Sequence, residues 1–285
     1  MNKKGASHHI WVMCCLAQMW WLAPCSASAD GLPTFAGPAM GTTFRVTLAR
    51  GIPGVAIGEV HRDVEGVLAR LDTAISTWRE DSDASRFNRA AAGEWVEVAA
   101  DLVTVVEIAR TVHADSQGAF DITFAPAGSG RPFGMQHVVS RRSPAALRKV
   151  VDGIALDLGG IGPGYAVDVI GSRLGELGST GHLVELGGEV RAWGRRPDGM
   201  AWRVALGADG RVIDLADGTA IATSSAKPGR SPIDPRTGRA VTDASTATAR
   251  SSSCAVADAW AVAAVVLGIP PGPDGTIELP VRARP

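Results

Sequence analysis

An α+β fold is predicted by three features of the sequence: helical and strand-like stretches mix without a regular βα alternation, no segment repeats at a fixed period, and the chain is apolar enough for a full core. Its 285 residues are 46% hydrophobic and 20% charged, which suits one large domain or two interlocked ones and argues against disorder. The expected architecture is mixed sheets with flanking helices.

The first 29 residues stand apart. Lys3 and Lys4 form a short basic start, Ile10 to Leu22 is apolar and rich in tryptophan, and small residues follow to Ala29. That order is the pattern of an export signal. Ala27-Ser28-Ala29 suits ordinary cleavage, whereas Leu22-Ala23-Pro24-Cys25 resembles a lipoprotein box with an unusual proline. The expectation is therefore a signal peptide over 1–29, a functional domain over 30–285, and an exported, periplasmic protein, soluble or tethered by lipid through Cys25. No stretch approaches the roughly twenty apolar residues of a membrane span. Cys14, Cys15 and Cys25 belong to this leader, so Cys254 alone remains and no intramolecular disulfide or cysteine metal cluster can form. Without the leader's two lysines the formal charge falls from −1 to −3, which gives no support to a nucleic-acid partner.

Along the body, Thr43–Ala49 alternates Phe44, Val46 and Leu48, as a half-buried strand does. Between Ala56 and Ile75, Val60, Val64, Val67, Leu68 and Leu71 share one helical face. Ser76 to Asn88 is turn-rich. Trp95–Ala99 leads into a second helix over roughly 100–116, stopped by Gly118. The Gly/Ser/Pro/Arg stretch 128–144 reads as an exposed connection and a candidate internal boundary. Beyond it, VVDGIALDLGG reads as a strand or hairpin entering a glycine turn, and GYAVDVIGSRLGELG as the helix that follows. His182–Gly188, VRAWG and AWRVALG supply further strands, and Cys254–Gly268 an apolar helix.

Within LDLGGIGPGYAVD (Leu156 to Asp168), four glycines ahead of a helix let the backbone approach a ligand and aim amide groups at an anion such as phosphate. A purely structural glycine turn explains the same residues. The stretch is neither a Walker loop nor a dinucleotide fingerprint. GAFDIT (Gly118 to Thr123) reads either as a helix stop capped by Asp121 or as part of a pocket, and IDPRTG (Ile233 to Gly238) and MGTTF (Met40 to Phe44) are good turn chemistry. Asp258 differs, because a carboxylate inside an almost wholly apolar helix is costly to bury unless a cation or a capping partner meets it. The histidines show no ligand spacing, and no GxSxG elbow suggests a serine hydrolase.

In this order, AMGTTF, ISTWREDSDASRFN, GAFDIT, LDLGGIGPGYAVD, VELGGEVRAWG, IATSS with IDPRTG, and CAVADAW resemble the ApbE family of exported flavin transferases, over Gly37 to Gly268. The resemblance implies that FAD is split at its pyrophosphate, AMP leaves, and FMN is joined by a phosphoester to a threonine of a partner flavoprotein in a redox or respiratory complex. Phosphoryl transfer asks for positioning and charge neutralisation, usually by Mg²⁺.

By the same resemblance, Met40, Trp78, Ala119, Phe120, Asp121 and Ile233 would line the flavin and adenine pocket, with Gly159 and Tyr165 at the pyrophosphate. Gly162, Asp258 and Ala261 would face the metal, and Asp258 and Asp234 would serve catalysis. Three positions depart from the family pattern. Val262 stands where a threonine is common, Ser231 where many members have histidine, and Pro163 where lysine is frequent. Two alternatives to transfer follow: an FAD-binding accessory protein of the same fold, and an Mg²⁺-dependent FAD pyrophosphatase.

Overall fold

Hydrophobic alternation produces the first hairpin, β1 (Thr34–Ala39) against β2 (Thr42–Leu48), closed by Met40 and Gly41 at φ 48° and 75°. The computed structural model describes residues 31–125, 129–206, 210–226, 231–243 and 245–279 of the chain; the leader and Cys25 lie outside them. β2 continues into a seven-stranded sheet of order β1-β2-β6-β7-β10-β13-β14. Its further members are β6 (Gly181–Leu186), β7 (Glu189–Gly194), β10 (Ala220–Ser225), β13 (Thr246–Ser251) and β14 (Ile277–Glu278). Neighbours run antiparallel except β13 and β14, which are parallel.

Three helices cover one face of this sheet. α1 (Ile57–Ile75) turns Val60, Val64, Leu68, Leu71 and Ile75 inward, as its 3.6-residue apolar period requires. α4 (Gly162–Glu176) lies on β6 and β7, and α5 (Cys254–Leu267) on β10 and β13. The opposite face is covered by the hairpin β8 (Trp202–Leu206) and β9 (Arg211–Leu215), where Trp202, Val204, Ile213 and Leu215 bury Val190 and Ala192 of β7. α5 is buried nearly all round because a second layer closes over it. That layer contains α2 (Asp83–Arg89), α3 (Ala100–Asp115) and the sheet β3 (Trp95–Glu97), β5 (Ala145–Lys149), β4 (Val138–Arg142). A helix apolar on every side is stable only in such a position. The mixed, largely antiparallel arrangement is the predicted α+β class.

Three local expectations are corrected. The turn-rich segment 76–88 holds all but the last residue of α2, begun by Ser82, whose hydroxyl accepts from the Ser85 amide at 3.0 Å, and anchored by the fully buried Phe87. Seven residues are too few to display a period. Nearly half of the supposed connection 128–144 is also ordered into a short 3₁₀ turn, Met135–His137, and β4; its polar composition reflects a strand that is only partly buried. Finally, no strand precedes the glycine turn. The backbone of Leu156 is paired on both sides by the Asn88 amide, at 2.7 and 3.0 Å, and Lys149 Nζ donates to the carbonyls of Ile154 and Asn88 at 2.6 and 3.0 Å. Side chains thus satisfy a buried backbone that would otherwise need a neighbouring strand.

Candidate active site

The glycine turn is shaped by what lies directly behind it. A Cβ on Gly160 would come within 3.1 Å of Val262 Cγ2 and 3.4 Å of Phe120 Cε2. At Gly164 a Cβ would stand 2.8 Å from the Asp258 Cβ and collide with the Cys254 carbonyl. The two glycines therefore let the first turn of α4 sit against α5 at backbone distance. Pro163 occupies that first turn, where its missing N–H has no helical partner to lose. Gly159 donates its amide to Asp157 Oδ1 at 3.0 Å.

This close approach brings Asp258 under the start of α4. Its carboxylate is 6% exposed and Oδ2 accepts from the Gly164 amide at 3.1 Å. Burial pushes its pKa up to about 7, against the pull of that amide. Glu189, at the start of β7, is 4% exposed and its Oε2 has no partner among the described residues. Burial and then the field of Asp258 hold its carboxyl well above the usual carboxylate range. Two buried acids sharing one region resist double ionisation. Asp258 was legible as a buried acid in an apolar helix, but Glu189 was missed. Its signal was the phase of EVRAWG, which puts Glu189 and Arg191 together on one side of a strand.

Asp168, at the other end of the sequence motif, serves the packing. It accepts from the Ser253 hydroxyl and the Cys254 and Ala255 amides at 2.8, 2.9 and 3.1 Å, and pairs with Arg191 at 2.6 Å. It caps α5 from α4.

A second wall is built from two loops. α3 is stopped by Gln117 and Gly118, at φ 53° and 81°, and Ala119 and Phe120 are buried behind them. Asp121 does not cap the helix. Its Oδ1 accepts from the Thr123 amide and hydroxyl at 2.8 and 2.6 Å, and so forms the following turn. Over Gly118 lies the side chain of Arg236, 3.6 Å from where a Cβ would be. Arg236 belongs to the hairpin of β11 (Ile233–Asp234) and β12 (Arg239–Ala240). Its guanidinium makes two 2.9 Å bonds to Asp234, and this holds the Asp234 carboxyl below its ordinary range.

The structure thus joins Gly160, Gly162, Phe120, Asp258 and Val262 on one wall and Gly118 with the Ile233–Asp234 hairpin on the next. Gly162 faces Ile75 of α1, and Trp78, 67% exposed, projects from the loop just beyond. Met40 and Tyr165 bridge the two main apolar clusters. The Tyr165 hydroxyl donates to Asp101 Oδ1 at 2.9 Å, and burial and that carboxylate keep it protonated. Ala261 is buried and offers a cation only its backbone oxygen; Val262, one turn beyond Asp258, offers no side-chain oxygen.

Comparison with known proteins meets this geometry at the same segments. The pattern that defines the ApbE family matches residues 40–275, which spans every wall of the site. An FAD:protein FMN transferase of Vibrio cholerae is 30% identical over 291 residues, covering 89% of this chain and 86% of its own. Among solved structures, the apo flavinyl transferase ApbE of Pseudomonas stutzeri superposes with a TM-score of 0.70 at 32% identity, over 82% of this chain and 84% of its own. A mutant form of the Vibrio cholerae flavin transferase ApbE gives 0.73 at 30%, over 85% and 87%. With its site segments inside the matched region and its fold shared along most of both chains, this chain belongs to the ApbE family.

Proposed function

We propose that this protein is an FAD:protein FMN transferase, acting after export on a threonine of a partner flavoprotein. The observation that carries the reading is the convergence of the glycine turn, Asp258 and the 118–121 and 233–238 loops at one place, in a chain similar to flavin transferases over most of its length. In the reaction, the P–O bond joining the FMN phosphorus to the AMP phosphate breaks, a P–O bond to the threonine oxygen forms, the hydroxyl proton is lost, and AMP departs.

Each wall has a task in that reaction. The positive end of the α4 dipole favours negative charge beside it, and its Gly164 amide meets the Asp258 carboxylate at 3.1 Å. Gly160 and Gly164, which have no room for a side chain against Val262, Phe120 and Asp258, let the turn pack directly on α5 and seat Asp258 beside the start of α4. Asp234, held ionised by Arg236, is a weak proton acceptor and acts through the shape of its hairpin over Gly118.

The residues present fit a Mg²⁺ ion. Among the described residues no cluster of three or more His, Cys, Asp or Glu could hold a metal, but Mg²⁺ ordinarily uses one or two carboxylates together with waters and substrate phosphates. Asp258, with the carbonyls of Gly162 and Ala261, would hold it. A bound Mg²⁺ would neutralise the pyrophosphate and the charge that develops as AMP leaves. The leader over 1–29 supports an exported protein, and Cys25 would supply a lipid tether if processing occurs there.

Incubating the protein with FAD, Mg²⁺ and a peptide carrying the acceptor threonine tests this directly. Fluorescent peptide together with AMP is the expected result. AMP without labelled peptide would make the protein an FAD pyrophosphatase, and bound FAD with neither product would make it a flavin-binding accessory.

A further inference from the structure

We infer that Glu189 carries the second negative charge of the cation site beside Asp258, a role that rests on the transferase reading above. β7 alternates cleanly: Val190 and Ala192 face the β8–β9 hairpin, so Glu189 and Arg191 face the helices. Arg191 demonstrates that direction, since its guanidinium reaches Asp168 on α4 at 2.6 Å. Glu189 lies two residues earlier on the same side, where α4 and α5 both pack against β7. At 4% exposure, its Oε2 is a buried acceptor that no described group satisfies.

A buried carboxylate with a free oxygen is expensive, and it is retained where a cation meets it. Arg191, the cation on the same strand, is engaged by Asp168. The structure therefore leaves two buried acids, Asp258 and Glu189, where α5 and α4 pack on β7, with the Gly164 amide on Asp258 and an unmatched Oε2 on Glu189. A divalent ion would neutralise both carboxylates and satisfy the orphan Oε2. Val262 gives this chain one side-chain oxygen fewer near Asp258 than the family pattern provides, so the second carboxylate matters more here.

The test uses Mn²⁺ as a spectroscopic substitute for Mg²⁺, titrated by electron paramagnetic resonance without FAD. Glu189→Gln keeps the size of the side chain and removes its charge. It is expected to weaken Mn²⁺ binding at least tenfold, while melting in EDTA occurs at the same or a higher temperature because the repulsion is gone. The rise in melting temperature on adding Mn²⁺ should shrink in parallel. Glu189→Ala carries the same binding expectation and serves if the glutamine variant does not fold. Wild-type affinity in either folded variant, or a wild-type protein that takes up no Mn²⁺, overturns the assignment. The two readings fail separately: a protein that binds Mn²⁺ through Glu189 but labels no peptide loses the transferase reading alone, whereas labelling with unchanged Mn²⁺ affinity in Glu189→Gln loses only the role of Glu189.

Discussion

On the interface between α4 and α5, two aspartates are treated in opposite ways. Asp168 reaches from α4 to the start of α5 and accepts from a hydroxyl, two amides and a guanidinium. Asp258 reaches from α5 to the start of α4 and accepts from one amide, with a second acid nearby that raises the cost of its charge. The first carboxylate is saturated by four donors; among the described residues the second meets a single amide. Satisfaction by donors, rather than burial, separates the residue that holds the helices together from the residue proposed to meet the metal.

The sharpest way to break this contrast is to neutralise each acid in turn. Asp258→Asn keeps an oxygen for the Gly164 amide and removes the charge. AMP release in the presence of acceptor peptide should fall by about a thousandfold, roughly 4 kcal/mol of transition-state stabilisation, while the melting temperature in EDTA holds or rises. Asp168→Asn should do the reverse. Losing the charge that pairs with Arg191 and caps α5 should cost about 3 kcal/mol in urea unfolding at unchanged m, with the rate per folded molecule staying within about threefold. If the Asp258 variant instead unfolds early and the Asp168 variant loses only activity, the division of labour is the wrong way round.

How much of this was readable beforehand follows from the range of the interactions. Asp258 stood out because an acid amid CAVADAWAVAAVVL breaks an apolar pattern, and the glycine turn because four glycines ahead of a helix let the backbone approach a ligand, although a structural turn explained them equally well. The helices α1, α3, α4 and α5 were legible from period and glycine stops. Asn88 and Lys149, which hold the segment ahead of the glycine turn, were not. Each acts across the fold through a backbone partner, Asn88 on Leu156 and Lys149 on Ile154 and Asn88, and backbone partners leave no mark in a sequence. α2 was hidden for a different reason, since its cap and single buried aromatic are too short to show a period. Glu189 was hidden by its setting, because a charge in a strand is ordinarily a solvent-facing residue and only the packing on both sides of β7 makes it a buried one.

The separation of the two helices is a milder lever on the same interface. Gly164→Ala would place a methyl 2.8 Å from the Asp258 Cβ, and overpacking of this kind costs about 2 kcal/mol. Because the strain falls on the contact that seats Asp258, transfer should drop by about tenfold as well. Gly175 lies on the same helix, and a methyl there would meet nothing within 4 Å, so Gly175→Ala should stabilise by about 0.5 to 1 kcal/mol and leave the rate alone. Equal effects from the two alanines, read by urea unfolding and AMP release, would show that helix propensity and not interface distance is being measured.

The smallest expected effect is a gain. Val262 lies one turn after Asp258, so the two side chains share a face of α5, and Gly160 approaches Val262 on that face. Val262→Thr exchanges one methyl for a hydroxyl of nearly equal size. The hydroxyl can satisfy itself on the Asp258 carbonyl one turn back, so the stability cost should be about 1 kcal/mol. If a cation sits between Asp258 and the glycine turn, the same hydroxyl adds an oxygen to its surroundings, and the Mg²⁺ concentration needed for half-maximal AMP release should fall by about threefold to tenfold. The gain should be larger in Glu189→Gln than in the wild type, because a site deprived of one acid depends more on each remaining oxygen. A threonine that leaves the Mg²⁺ requirement unchanged in both backgrounds would place the ion away from this face of α5, and Asp258 would then act on the substrate without it.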